Sequence, residues 1–313
     1  MIMNFKQKFI DARQKFEKVG IFGIPYLDDT LGGISKTDLI LIGARSGAGK
    51  TSIASIIAIA NKDSNVALFS LENFDGEDIL KYSYYEYKKR DCSYRGNIRD
   101  FVFNDTAFKV DENLLDQAID STENKLKHIN LFTRKKDYTI EKLKQDMIET
   151  VVKNKTKLII IDHLDYLDKE NPNGTDIQHI SDVMRVIRDF QDAFDCAIVS
   201  LSHLRKSDKR FSGAIPSMDE FIGSSNKIKE ATIVITLSSD DEKNLENINS
   251  NLKSTWCCIR KLRLGGISNT TSRIYFNTLT GQYSKNYQIC SVNFDGTKIK
   301  EIKNEKETWQ NRY

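Results

Sequence analysis

Eight consecutive residues constrain this chain more than any others: Ala44-Arg45-Ser46-Gly47-Ala48-Gly49-Lys50-Thr51. They follow the apolar run Leu39–Gly43 (L-I-L-I-G) and open the apolar stretch Thr51–Ala60, so a strand, a glycine-rich loop and a buried helix are joined in that order. Small residues at Gly47, Ala48 and Gly49 let backbone N–H groups wrap a polyphosphate, and the helix behind them presents its positive end. In such a loop the lysine, Lys50, bridges the β- and γ-phosphates and the hydroxyl of Thr51 holds Mg²⁺. Ala44 stands where the strict motif has Gly. A glycine-rich turn with a surface lysine would share the residues, but it would need neither the strand before it nor the helix after it.

The other half of such a site needs carboxylates. Lys157-Leu-Ile-Ile-Ile-Asp162 is an apolar strand ending in an acid suited to orient Mg²⁺ and its water. An aspartate after a buried strand is also a common helix N-cap, so its weight comes from its company with Lys50 and Thr51. Glu72 ends the run Val66–Leu71, and parallel sheets expose their functional edge at the carboxyl ends of strands. It is the candidate group for deprotonating a water.

Further strand-like runs occur at Ala197–Leu201, Thr232–Leu237, Trp256–Ile259 and Arg273–Phe276. Helical patterns separate the earlier ones: Leu114–Lys127, Thr139–Val152 and Asp176–Phe190. Strands alternating with helices predict an α/β fold with a mostly parallel central sheet flanked by helices. At the start, Phe5, Phe9, Ala12, Phe16 and Val19 form one stripe of an amphipathic helix, closed by Gly20. Such a stripe can cap the chain's own core or reach a neighbouring subunit. The block Tyr82–Arg90 interleaves aromatics with cations; a helix burying tyrosines on one side explains it better than base stacking. No internal repeat is present. The expected organisation is a helix over 1–19, one continuous domain over 20–285, and a C-terminal strand with a polar tail over 286–313.

With 313 residues and 39% hydrophobic side chains, the chain can bury a sizeable core. Its 47 basic and 44 acidic side chains leave a net charge of +3, too little for long-range attraction to nucleic acid or membrane. Any such binding must come from local patches. No run approaches the ~18 apolar residues of a membrane helix, and the N-terminus lacks a continuous secretory segment. A cytoplasmic protein without membrane partners is expected. Five cysteines form no C-x-x-C pair and four scattered histidines add no zinc-like cluster, so reduced thiols are expected.

One family combines these features. Gly23-Ile-Pro25-x-Leu27-Asp28 with Leu31-Gly32-Gly33, the phosphate loop, F-S-L-E at Phe69–Glu72 and I-I-I-D at Ile159–Asp162 occur in order. S-L-S-H-L at Ser200–Leu204, G-S-S-x-x-I-K-x-A at Gly223–Ala231, K-x-R at Lys261–Arg263 and G-Q-Y-S at Gly281–Ser284 complete the series. In this the chain resembles the C-terminal ATPase domain of DnaB-type replicative helicases over essentially all of Gly20–Ser284.

The resemblance implies a RecA-like P-loop core behind an N-terminal linker helix, assembled as a six-membered ring with ATP between neighbours. It implies ATP and Mg²⁺ as cofactors, the loop Ala44–Thr51 as nucleotide cradle, Thr51 and Asp162 at the metal, and Glu72 as catalytic glutamate. Lys261 and Arg263 fall where the family has a basic pair reaching the neighbour's γ-phosphate. His203 stands where a glutamine usually senses that phosphate, and its protonation would make activity pH-sensitive. The family's collar domain is not expected here, so primase contact is not implied, whereas a helicase loader is compatible. The stripe of the first helix falls where the family's linker helix docks on a neighbour.

The family's two DNA loops would fall at Asp168–Asp176 and Arg205–Ser217. The first carries one lysine against three acids; the second offers Arg205, Lys206, Lys209 and Arg210 beside Phe211. Six copies multiply a few cations into a grip on single-stranded DNA. The expected function is an ATP-dependent helicase or translocase on single-stranded DNA. The alternative is a regulatory or recombination ATPase resembling the RadA and KaiC relatives, without processive unwinding.

Overall fold

The computed structural model describes residues 5–45, 47–104, 107–169, 174–205, 215–221, 224–246, 250–265, 268–292 and 299–301. Helix α1 (Phe5–Lys15) leads to β1 (Lys18–Gly20), α2 (Pro25–Leu31) and β2 (Ile34–Ser35). Next come β3 (Leu39–Ala44), α3 (Lys50–Ala60) and β4 (Val66–Ser70). A helical insertion of α4 (Glu77–Arg90), α5 (Ile98–Phe103) and α6 (Glu112–Leu126) precedes β5 (Ile129–Thr133). Then follow α7 (Ile140–Asn154), β6 (Leu158–Asp162), α8 (Asp176–Phe194), β7 (Ala197–His203) and α9 (Ser224–Glu230). The chain continues through β8 (Ile233–Ser239), α10 (Asp241–Glu246), β9 (Leu252–Leu262), β10 (Thr270–Asn277), β11 (Gln282–Val292) and β12 (Ile299–Glu301).

Ten strands form the main sheet in the order β12-β11-β10-β9-β8-β3-β7-β6-β4-β5. The six from β8 to β5 are parallel, and β9 to β12 extend the sheet antiparallel from β8. Every residue of β3 is buried, as a central strand covered on both faces requires. On one face Ile53 and Ile57 of α3 pack over Ile40, Ile42, Ile160 and Val199. On the other, Leu143 and Met147 of α7 and Met184 and Ile187 of α8 cover Phe69, Ile159, Ile161 and Ile198. Side-chain caps start the outer helices: Asp111 for α6, Thr139 for α7 and Thr175 for α8. Helix α3 has no side-chain cap. Burial fixes it instead, each buried Ile contributing about 1.5–3 kcal/mol.

The first helix is shorter than its stripe. It ends at Lys15, and Val19 lies in β1, whose pairing with β2 brings it into the core. Phe5, Phe9 and Phe16 are 74%, 66% and 47% exposed, so the stripe does not cap this chain's own core. In α4 Tyr82 and Tyr87 are buried while Lys88 lies over the ring of Tyr84, in line with a tyrosine-burying helix. Strand β5 escaped the sequence reading because Asn130 and Thr133 interrupt its apolar run and it is only half-buried at the sheet edge. Strand β11 continues across residue 285, its pairing with β10 bulged between Tyr283 and Tyr287.

Candidate active site

Four parallel strands deliver their C-terminal ends to one place. Ala44 of β3 is in register with His203 of β7, and Ser70 of β4 with Asp162 of β6. The loop after β3 turns through Gly47 and Gly49, whose φ of +80° and +83° lie where other residues are strained. Arg45 anchors the loop from outside through a two-pronged ion pair with Glu220, at 2.9–3.2 Å. Gly43 is needed for close approach: a Cβ there would meet the Phe221 ring at 2.3 Å. Ser46 lies outside the described residues.

Lys50 is buried and its ammonium sits 2.7 Å from Nδ1 and 3.1 Å from Nε2 of His203. Burial lowers the Lys50 pKa, opposed by the charges of Asp162, Glu72 and Asp165. Burial, then the charges of His163 and Lys50, lower that of His203, so the ring is held neutral and accepts from the ammonium. Asp162 is 1% exposed, and neither carboxylate oxygen has a hydrogen-bond partner among the described residues. Burial raises its pKa against the influence of the Thr51 hydroxyl, His163 and Lys50. A buried carboxylate so oriented, beside a hydroxyl, is the donor set a hard divalent cation takes. Glu72 is exposed just beyond β4, its Oε2 3.5 Å from Nε2 of His163.

These groups enclose a cavity of about 180 Å³ lined by Arg45, Gly47, Gly49, Lys50, Thr51, Ser52, Glu72 and His203. A second cavity of about 220 Å³ shares Thr51 and Ser52 and is walled by Ile56, Tyr82, Tyr85 and Phe276. A polar chamber thus opens beside an aromatic one. A larger cavity of about 540 Å³ lies elsewhere, between α1 and the end of β9; it is lined by Lys18, Asp38, Arg188 and Arg263 but by neither the phosphate loop nor the strand-end acids.

Sequence reasoning missed a buried network beneath the loop. Asp165 Oδ2 accepts the backbone N–H of His203 at 2.9 Å and lies 3.2 Å from Nδ1 of His163. Lys227 of α9, fully buried, donates to Asp165 Oδ1 at 3.2 Å and to Ser202 Oγ at 2.6 Å. Burial raises the Asp165 pKa, but His163, Lys227 and the His203 amide outweigh it and hold the carboxyl well below its usual range. The ring of His163 stands perpendicular to that of His203, centroids 4.2 Å apart. Histidines scattered in sequence therefore converge: Glu72, His163 and His203 bring donor atoms within 4.8 Å of one another. Lys50 already engages His203, which argues against a resident transition metal. The D-H-L-D run at Asp162–Asp165 was the available signal for two members; nothing local marks Lys227.

Lys261 and Arg263 are not brought to this site. Leu262 pairs with Ile233 at the start of β8, and Arg263 N–H donates to Thr232 O. That is the sheet end where β3 begins, opposite its phosphate loop. Lys261 Nζ donates to the carbonyls of Ile228 and Ala231, at 2.6 and 2.7 Å. Arg205 is exposed, its N–H bonded to Glu220 O. Lys206, Lys209, Arg210 and Phe211 lie outside the described residues, as do residues 170–173 of the acidic loop. In the rest of that loop Asp168 pairs with Arg134, and Asp176 with Lys169.

A family profile, DnaB-like helicase C terminal domain, matches residues 21–285. The replicative DNA helicase DnaB of Mycoplasma genitalium is 26% identical over 286 residues, 87% of this chain and 57% of that protein. The DnaB of Geobacillus stearothermophilus is 27% identical over 245 residues, 74% of this chain and 49% of that protein. The chain thus spans about half the length of these curated relatives. A solved structure of a DnaB-like replicative helicase, described with its interactions with primase, superposes with a TM-score of 0.71 at 21% identity, covering 90% of this chain and 67% of the other. A solved ATPase domain superposes with a TM-score of 0.70 at 22% identity, covering 89% of this chain and 95% of that domain. Among the described residues no helix is long and apolar enough to cross a membrane. With the phosphate loop, the strand-end acids and the ten-stranded sheet in the order described, the chain belongs to the DnaB-like helicase C-terminal domain family.

Proposed function

We propose that this chain hydrolyses ATP at the interfaces of a cytoplasmic ring and uses the cycle to move along single-stranded DNA as a helicase. The convergence of Lys50, Thr51, Glu72 and His203 on one cavity, with the Asp162 carboxylate buried beside Thr51 and Lys50, carries this reading. The triphosphate lies along the loop, with Lys50 leaving His203 for the phosphates, and the base enters the aromatic chamber beside Tyr85 and Phe276. Thr51 and Asp162 hold Mg²⁺, which supplies charge neutralisation on the phosphate oxygens. Glu72 takes a proton from the attacking water, and His203 reads the γ-phosphate.

Lys261 and Arg263 lie at the opposite sheet end from their own loop, so they serve the loop of a neighbouring copy. A guanidinium there stabilises charge on the transferred phosphoryl group and couples hydrolysis to subunit movement. A closed six-membered ring of copies completes every site, with the exposed stripe of α1 docking on a neighbour. Arg205, Lys206, Lys209 and Arg210 supply the cations for contacts to DNA phosphates. The deciding experiment is unwinding of a forked duplex with ATP and Mg²⁺. DNA-stimulated hydrolysis with strand separation supports the reading; hydrolysis indifferent to DNA favours the regulatory ATPase. Replacing these four cations by Ala should flatten the salt dependence of DNA binding while basal hydrolysis survives.

A further inference from the structure

Helix α9 touches both of the places at which nucleotide acts. Its Lys227 side chain reaches under the chain's own phosphate site, and the carbonyl of Ile228, with that of Ala231 just past the helix, holds Lys261. A fully buried ammonium is tolerated only when paired, and Lys227 is paired with Asp165, the acceptor of the His203 amide. The helix is short, seven residues or roughly 10 Å, and packs as one body through Ile228 against Leu204 and Phe221. Leu204 directly follows His203. A displacement of His203 is therefore felt at Lys227, in the middle of α9, and delivered by the carbonyls from Ile228 onward.

We propose that Lys227 is a positioning residue which, through α9, links the state of a chain's own phosphate site to the placement of the Lys261–Arg263 segment it offers a neighbour. The proposal rests on the reading that this pair acts in trans. When polyphosphate draws Lys50 away from His203, the ring and its amide are free to shift on Asp165. Lys227 follows Asp165, α9 follows Lys227, and the Ile228 and Ala231 carbonyls carry Lys261. The Arg45–Glu220 ion pair and the hydrogen bond from the Arg205 N–H to the Glu220 carbonyl tie the neighbouring segment to the phosphate loop rather than to α9.

Subunit mixing tests this. A Glu72→Gln chain binds ATP without turnover and donates an intact finger; an Arg263→Ala chain keeps an intact loop and lacks the finger. Each is inactive alone, and their mixture regains hydrolysis at mixed interfaces. Adding Lys227→Met with Asp165→Asn to the donor removes the buried charges as a pair, leaving thermal midpoint and assembly near the parent. Mixed-interface hydrolysis should nonetheless fall about tenfold, a coupling of ordinary size. Ser202→Ala in the donor, which removes one Lys227 partner without touching charge, should lower it about threefold and guards against misfolding of the first variant. Parental activity with either donor overturns the proposal, leaving Lys227 as a mere counter-ion. A mixture without activity even with the simple donor, despite demonstrated subunit exchange, instead defeats the in-trans reading and the proposal with it.

Discussion

The Lys50 ammonium and the His203 imidazole, 153 residues apart in sequence, are hydrogen-bonded at 2.7 Å across the mouth of the phosphate loop. The lysine proposed to reach a polyphosphate is parked on a neutral acceptor, which costs little to leave because a charged phosphate is the stronger partner. On the proposed function, the same contact puts His203 where an arriving γ-phosphate would change its surroundings.

Glu72→Gln should bind ATP as the parent does and turn it over at least about a hundredfold more slowly, the usual span of acid–base contributions. Nucleotide binding by titration and steady-state hydrolysis check this. Near-parental turnover moves the base elsewhere, and lost binding makes Glu72 structural.

Acid should weaken the enzyme through His203. Its folded pKa lies below the ordinary 6.5 because burial, His163 and Lys50 disfavour charge, while Asp165 and Glu72 oppose them incompletely. Below about pH 6.5 the unfolded chain takes up a proton that the folded chain resists, so stability is present above that pH and is lost as pH falls further. The charged ring would also repel Lys50. His203→Gln cannot charge, and its kcat/KM profile should lose the parent's acid limb. Persistence of that limb assigns it to another group.

Glu86 of α4 should be a stability determinant. Burial would raise its pKa, but Lys125 and Lys89 pull it from 4.5 down to about 2, and Arg90 pairs with the same carboxylate. The contribution is present above pH 4.5 and fades as pH falls towards 2. Glu86→Gln should destabilise the fold by on the order of 2 kcal/mol at pH 7, with the deficit closing in acid, as pH-dependent denaturant unfolding would reveal. A deficit independent of pH would make the effect one of packing.

The exposed stripe of α1 should govern assembly and not folding. Replacing Phe5 and Phe9 by Ser removes side chains that bury little in one chain, so the stability of the dissociated protein should move by no more than the ~0.5 kcal/mol typical of surface sites. Sedimentation should show a shift to smaller species. A ring that forms equally well without these aromatics would place the docking surface elsewhere.

Local backbone chemistry made part of this molecule legible in one dimension. Gly47 and Gly49 between an apolar strand and an apolar helix determine a phosphate cradle, because the conformations needed are open to glycine and the elements on either side are set by their own apolar runs. Asp162 and Glu72 were readable for a similar reason: Asp162 ends a buried strand and Glu72 lies two residues past another, and strand ends of a parallel sheet share one edge. Where α1 stops was not readable, since Val19 leaves the helical stripe for a strand only because β2 is there to pair with it. Nor was the partnership of Lys227 with Asp165, 62 residues away, which exists because α9 returns beneath β7 and the interior demands a counter-charge for each. The sheet order decided the rest. By running antiparallel to β8, β9 carries Lys261 and Arg263 to the end of the sheet where β3 begins, and so away from the loop in their own chain.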